Sequence, residues 1–169
     1  MEKPTDSKDF FEVSKEYGAI RESPARIIFR QVVETCQSLH SRGVFHRDIK
    51  DENILINMKT LETKVIDFGC ATDFSSTEEY DHFSGTPEFC APEIFNCGKY
   101  RAEQSTVWTL GTLLHVILLG DIPFEKTEDI TAGRIRDVVC VFHLISLYPN
   151  PVRNNLCDTF TFIRITFDQ

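Results

Sequence analysis

The run from His46 to Asn53 constrains this chain more than any other feature. It reads His-Arg-Asp-Ile-Lys-Asp-Glu-Asn and places acidic, basic and amide side chains in one short stretch. The triplets Asp67-Phe68-Gly69 and Ala91-Pro92-Glu93 follow it in that order. An isolated Asp-Phe-Gly is common by chance, whereas the three segments in register are a specific signal.

This combination resembles the catalytic loop, the metal-binding loop and the activation-segment end of eukaryotic protein kinases. The resemblance implies that Asp48 is the base that receives the substrate hydroxyl proton and that Lys50 points at the transferred phosphate. Asn53 and Asp67 would bind Mg²⁺, which prefers hard oxygen ligands. Lysine at position 50 is typical of serine/threonine kinases. The expected reaction is transfer of the γ-phosphate of ATP to Ser or Thr of proteins.

Five further residues have supporting roles in the resembled family: His46, Arg47, Gly69, Thr86 and Glu93. His46 would brace the catalytic loop, and Gly69 would give the metal-binding loop its backbone freedom. Thr86 would support the base beside the substrate-binding loop. Glu93 would pair with an arginine late in the domain.

In the resembled family, the arginine at the position of Arg47 often pairs with a phosphorylated residue of the activation segment. This sequence offers two sources of such negative charge. The acidic residues are Glu78, Glu79 and Asp81, and the residues open to phosphorylation are Ser75, Ser76 and Thr77. We favour the acidic source as a hypothesis. A solvated acidic loop tip is the alternative.

Several stretches narrow the resemblance to Pim-like serine/threonine kinases. They are residues 1–4, 43–56, 106–111 and 120–125. Residues 1–4 resemble the Pim hinge, in which Pro4 has no N–H to offer to adenine. The resemblance implies nucleotide contacts from Glu2 and an apolar floor below the adenine from Leu55 and Ile66.

The same resemblance places Asp9, Asp51 and Glu52 toward the ribose and the substrate channel, with Thr86 nearby. An acidic cleft concentrates cations, so we expect protein substrates with basic motifs. Surface acidity that serves solubility is the alternative, since the net charge is -8. This charge argues against nucleic acid or an anionic membrane as a partner. The oligomeric state is not indicated.

Composition fits one soluble domain, with 41% hydrophobic and 26% charged residues among 169. No apolar run has membrane-spanning length. No leader-like segment starts the sequence, so we expect a cytoplasmic or nuclear location. The six cysteines lack metal-site spacing and are expected to be free thiols.

Local patterns predict three helices and one hairpin. The helices are Lys8–Tyr17, a segment capped by Ser23 that runs to about Arg42, and Gln104–Leu119. Ile54–Ile56 and Lys64–Ile66 are short apolar runs around a turn-rich connection. Paired as a hairpin, they would bring Asn53 close to Asp67.

The expected fold class is α+β, a protein-kinase-like large (C-terminal) lobe that is mainly α-helical with short β-hairpins. Because the sequence has no Gly-rich loop and no strand lysine, we expect the small lobe to be absent. Residues 1–134 form the expected partial kinase domain, and residues 135–169 a divergent tail with an alternating, strand-like run at 159–167.

Two functions remain open. The intact set of Asp48, Lys50, Asn53 and Asp67 favours a serine/threonine kinase, which would use ATP and Mg²⁺. The expected absence of the small lobe favours a non-catalytic, kinase-derived binding or regulatory module with little or no autonomous activity.

Overall fold

The computed structural model of the chain describes residues 6–134. The helices are α1 (Phe10–Tyr17), α2 (Glu22–Ser41), α3 (Pro92–Asn96), α4 (Ala102–Leu119) and α5 (Thr127–Ala132). The strands are β1 (Ser7–Asp9), β2 (Val44–Phe45), β3 (Ile54–Asn57), β4 (Thr63–Val65) and β5 (Thr72–Asp73). Short 3₁₀ turns cover Asp51–Asn53 and Pro87–Phe89. Helices with small antiparallel sheets agree with the predicted α+β class. The residues 1–4 hinge and the predicted strand at 159–167 lie outside the described residues.

Helix α2 turns an apolar stripe toward the core. Ile28, Val32 and Cys36 recur at helical spacing and are buried, as predicted. The predicted cap at Ser23 was wrong, because α2 begins at Glu22 and no side chain caps its first turn. Pro24 is tolerated there because the first N–H groups of a helix have no partner within the helix.

Helix α4 is the central helix of the described part. It covers the predicted segment and begins two residues earlier, at Ala102. Leu113, Leu114 and Ile117 are almost fully buried in the cluster that also contains the stripe of α2. A helix that is apolar on most faces is expected to be buried. Helices α2 and α4 together support the two polar loops, which are residues 46–53 and 67–69.

Helix α1 begins later than predicted, at Phe10, because Lys8 and Asp9 belong to β1. Asp9 accepts a hydrogen bond from the Glu12 N–H at 2.8 Å, so its carboxylate caps the helix. Gly18 ends the helix, as predicted.

Strand β3 lies in the middle of a three-stranded antiparallel sheet with the order β1-β3-β4. Strands β3 and β4 are the predicted hairpin, with Ile54 opposite Val65. Strand β1 was not predicted, since three residues carry too little pattern. Gln31 of α2 fixes the hairpin by donating to the Leu61 carbonyl at 2.8 Å and accepting from the Thr63 N–H at 3.0 Å.

A second sheet has two strands, one before the first polar loop and one after the second. Strand β2 directly precedes His46 and pairs with β5, which follows Gly69 closely; Phe45 lies opposite Thr72. The His40 ring at the end of α2 stacks on Phe74 with centroids 4.3 Å apart. The pairing of β2 with β5 therefore holds the two loops together at their outer ends.

Tyr80 fastens the segment between β5 and α3. Its backbone forms an antiparallel bridge with Tyr100, at 2.8 and 3.0 Å. Its hydroxyl donates to the Asp73 carbonyl and accepts from the Ser75 N–H, both at 2.8 Å. The Tyr80 and Tyr100 rings stack with centroids 5.6 Å apart. These contacts join the segment to Tyr100, two residues before α4 begins.

Two composition-based expectations agree with the described residues. No helix among residues 6–134 combines the length and the apolar content that a membrane crossing needs. The cysteines of this part are free thiols, as predicted: Cys36, Cys70, Cys90 and Cys97. Burial raises the pKa of the Cys36 thiol to about 12.

We expect Gly120→Ala to lower the free energy of unfolding more than Gly98→Ala. Both glycines have positive φ, 77° and 67°, which costs an L residue about 1–2 kcal/mol. A Cβ on Gly120 would lie 3.1 Å from the Gly18 carbonyl carbon, whereas nothing lies within 4 Å at Gly98. Overpacking should add about 1–3 kcal/mol at Gly120. Urea unfolding of the two variants measures the difference; equal losses would contradict the close approach.

Candidate active site

Three segments meet at the Asp48 carboxylate. Its Oδ1 accepts a hydrogen bond from the Thr86 hydroxyl at 2.7 Å, and its Oδ2 accepts one from the Asn53 amide at 3.0 Å. The same amide donates to the Asp48 backbone carbonyl at 2.8 Å. The Asp48 side chain is only 11% exposed. Donors on both oxygens hold the carboxylate in one orientation.

Gly85 allows the activation segment to approach the loop this closely. Its φ is 120°, and a Cβ there would lie 2.4 Å from the Arg47 carbonyl oxygen. No L side chain fits such a contact. The sequence did not predict this role of Gly85, because the approach joins segments that are distant in the chain.

The hairpin brings Asp67 beside Asn53, as predicted. The Ile66 N–H donates to the Asn53 carbonyl at 3.0 Å, so the next residue starts next to the amide. Asp67 has a φ of 60°, in the left-handed region. Its Oδ1 accepts a hydrogen bond from the Gly69 N–H at 3.1 Å. Gly69 therefore fixes the orientation of the Asp67 carboxylate.

Asn53 and Asp67 offer hard oxygen donors. The Asn53 amide gives its N–H groups to Asp48, which leaves Oδ1 for a cation, and Asp67 is an exposed carboxylate. Within residues 6–134, no group of three or more His, Cys, Asp or Glu is arranged to hold a metal. Magnesium in nucleotide sites uses one or two protein ligands plus phosphate oxygens. The donor set thus fits phosphate-bound Mg²⁺.

Lys50 lies between two carboxylates. Its Nζ is 2.5 Å from Glu52 Oε2 and 4.0 Å from Asp48 Oδ2. Burial disfavours the ammonium, but the hydrogen bond to Glu52 and the charge of Asp48 outweigh burial and raise the Lys50 pKa. The side chain therefore stays cationic at neutral pH.

His46 braces the loop through both ring nitrogens. Its Nδ1 accepts from the Asp48 N–H at 3.3 Å, so Nε2 carries the proton and donates to the Ile66 carbonyl at 3.2 Å. Burial lowers the His46 pKa, which favours this neutral ring. The ring also makes an edge contact with Phe68, with centroids 4.7 Å apart.

Arg47 bonds to the backbone rather than to the acidic residues that we favoured. Its Nε donates to the Cys70 carbonyl at 2.6 Å, and its hydrogen bond with Tyr100 opposes the burial that raises the Tyr100 pKa. Glu79 pairs with Arg101 at 3.8 Å. No ion pair within residues 6–134 joins Arg47 to the acidic triplet, because the β2–β5 pairing sets the Cys70 carbonyl beside the guanidinium.

Comparison with known proteins identifies the family of the chain. The family model for the protein kinase domain matches residues 1–161. The chain belongs to the protein kinase family. The predicted resemblance is confirmed at this level.

The similar proteins are serine/threonine kinases. The chain is 45% identical to serine/threonine-protein kinase pim-2 of Danio rerio over 134 residues, which cover 79% of the chain and 43% of the relative. It is 40% identical to serine/threonine-protein kinase prk-2 of Caenorhabditis elegans over 149 residues, which cover 88% of the chain and 32% of the relative. The chain therefore spans less than half the length of these curated relatives.

The kinase match extends past residue 134, where we expected the domain to end. Residues 135–169 lie outside the described residues, so the division at residue 134 stays a prediction.

The residues expected at the kinase nucleotide site are only partly described. Leu55 in β3 is buried, and Ile66 lies half-buried just beyond β4. Leu55 lies opposite Lys64 in the hairpin. Glu2 lies outside the described residues. Their contacts with adenine stay predictions.

The residues expected at the kinase substrate channel differ in exposure. The Glu52 side chain is 51% exposed. Asp51 is buried, and burial raises its pKa. Asp9 is engaged as the cap of α1. Of these three carboxylates, Glu52 is the most accessible to a solute.

Glu93 is half-buried at the start of α3, and burial raises its pKa. None of the ion pairs found within residues 6–134 includes it. Its pairing with an arginine late in the domain stays a prediction, because Arg153 and Arg164 lie outside the described residues.

We expect the free energy of unfolding to fall as the pH drops below about 6.5. Burial lowers the pKa of both His46 and His40, so the unfolded chain binds protons at these rings before the folded chain does. The stabilisation is complete above the unfolded pKa and is lost as the pH falls through the lowered folded values. Urea unfolding across this range measures the slope. A doubly substituted chain, His40→Gln with His46→Gln, should show a shallower slope, and an unchanged slope would contradict the assignment.

Proposed function

We propose that the protein is a Pim-like serine/threonine kinase that transfers the γ-phosphate of ATP to Ser or Thr of proteins. The observation that carries the proposal is the Asp48 carboxylate, which Thr86 and Asn53 hold from two sides while Lys50 lies 4.0 Å away. A fixed carboxylate next to an ammonium provides a proton acceptor and a charge complement for phosphate in one place.

Asp48 receives the proton of the substrate hydroxyl as the hydroxyl oxygen forms its bond to the γ-phosphorus. The bond from the γ-phosphorus to the bridging oxygen breaks, and ADP leaves with that electron pair. The hydrogen bonds from Thr86 and Asn53 keep the carboxylate from turning away. His46 takes no proton in this scheme, because both of its ring nitrogens are engaged.

Lys50 places its positive charge against the transferred phosphate, where negative charge spreads over the oxygens. Asn53 and Asp67 would hold Mg²⁺, which neutralises phosphate charge when bound. Leu55 and Ile66 would form the apolar floor below the adenine, and Glu2 would contact the nucleotide from the hinge.

The substrate class follows from charge. Glu52 is half-exposed beside Lys50, and the chain carries a net charge of -8. These features support substrates with basic residues near the Ser or Thr. Asp9 and Asp51 support this less directly, since one caps a helix and the other is buried. A cytoplasmic or nuclear location stays a prediction.

We assign residues 6–134 to the large lobe of a kinase. Phe68 is 43% exposed although it contacts the buried His46 ring. Phe68 belongs to the metal-binding loop itself, and a small lobe packed there would cover its exposed face.

A non-catalytic binding module is the second candidate. Magnesium-dependent ATP binding distinguishes this candidate from the kinase.

We expect magnesium-dependent ATP binding by the chain to require Asp67. Asp67→Asn keeps the shape but removes the carboxylate charge from the proposed Mg²⁺ site, so affinity should fall roughly tenfold or more, about 1.4 kcal/mol. Calorimetric titration with and without magnesium measures the change. Asp81→Asn, at an exposed carboxylate of the activation segment, is the matched control. No binding by the unsubstituted chain would favour the non-catalytic module.

We expect Asp48→Asn to lower the phosphotransfer rate by roughly 10²–10⁴, the range for losing a general base. The assay follows phosphate transfer from magnesium–ATP to a basic peptide. Thr86→Val should also lower kcat, whereas Thr86→Ser, which keeps the hydroxyl, should retain most of it. Equal rates for the two Thr86 variants would contradict the role of the hydrogen bond.

A further inference from the structure

Lys50 is paired with an outer carboxylate rather than with the inner one. Its Nζ lies 2.5 Å from Glu52 Oε2, compared with 4.0 Å from Asp48 Oδ2. The exposed fractions of the side chains are 18% for Lys50, 51% for Glu52 and 11% for Asp48. The pair therefore joins the cation of the proposed phosphate site to a carboxylate that solutes can reach.

This pair creates a competition for Glu52. A cationic peptide side chain that approaches Glu52 meets a carboxylate already neutralised by Lys50. If Lys50 turns to a phosphate instead, Glu52 is left without that counter-ion and attracts a cation more strongly. The neighbouring Asp51 is buried, so it is poorly placed to compensate.

We infer that Glu52 is an exchangeable counter-ion of Lys50, so that phosphate at Lys50 and a basic peptide at Glu52 favour each other's binding. This rests on the proposed function, and it assigns Glu52 a coupling role in addition to substrate contact. The coupling is reciprocal, because it is one free energy shared by two sites. A half-exposed ion pair is weak, so the effect should be roughly two- to fivefold in affinity.

A fixed pair that only stabilises the 3₁₀ turn at Asp51–Asn53 is the competing explanation. The two explanations differ in what Lys50 does to a peptide in the absence of nucleotide. An exchangeable counter-ion suppresses peptide binding through Glu52, and its removal should release that suppression. A fixed structural pair has no such effect beyond the loss of one positive charge.

The test is a double-mutant cycle on the 169-residue chain without nucleotide. Fluorescence anisotropy measures the Kd of a labelled arginine-rich peptide for the unsubstituted chain, Lys50→Met, Glu52→Gln and the double variant. Lys64→Met removes the same charge from an exposed position of β4 and is the matched control. Lys50→Gln is a second variant of the same site, and thermal unfolding verifies that each variant is folded.

Lys50→Met and Lys50→Gln should tighten peptide binding roughly two- to fivefold beyond Lys64→Met. In the Glu52→Gln background this extra gain should disappear. A Lys50 effect no larger than that of Lys64→Met, or one that persists without Glu52, overturns the coupling while the proposed kinase function stands. If neither the unsubstituted chain nor the Lys50 variants bind the basic peptide, both the coupling and the proposed substrate class fail. The separate magnesium–ATP titration then decides the nucleotide function.

Discussion

The Asp48 carboxylate and its two hydrogen-bond donors are the interaction on which the rest of the site depends. Thr86 reaches it from the activation segment, and Asn53 reaches it from the 3₁₀ turn that leads into β3. The first contact requires the close approach at Gly85, and the second requires that the turn be held by the hairpin. A small, largely buried carboxylate thus fixes three segments against one another.

The other polar side chains of the site form hydrogen bonds to backbone groups or ion pairs with one another. His46 is kept neutral by burial and joins the loop to Ile66, while Arg47 joins it to the carbonyl of Cys70. The Tyr80 bridge likewise joins the activation segment to Tyr100. Lys50 differs, because its partner Glu52 is half-exposed. The hydrogen-bonded side chains hold the site in place. In the exposed pair of Lys50 and Glu52, a bound ligand can take the place of the partner that the protein supplies.

Sequence reasoning found the helices and the hairpin because both carry a local signal. The stripe of Ile28, Val32 and Cys36 and the apolar runs beside Asn53 and Asp67 have the periods of a helix and of short strands. It missed the pairing of β2 with β5, since two-residue strands carry no period. The predicted pairing of Arg47 with the acidic residues of the activation segment was also wrong. Nothing in the local sequence shows that the carbonyl of Cys70 would accept the hydrogen bond of Arg47 instead.

The sequence by itself determined the family, the order of the motifs and the chemical type of each site residue. These depend on residue identity and spacing along the chain, which the motif from His46 to Asn53 records directly. Only the tertiary structure decided which groups meet and which remain exposed: Asp9 became a helix cap, Asp51 was buried, and Glu52 stayed accessible beside Lys50. The physical reason is that hydrogen bonding and burial depend on distances between segments far apart in the chain, and no local pattern encodes those distances.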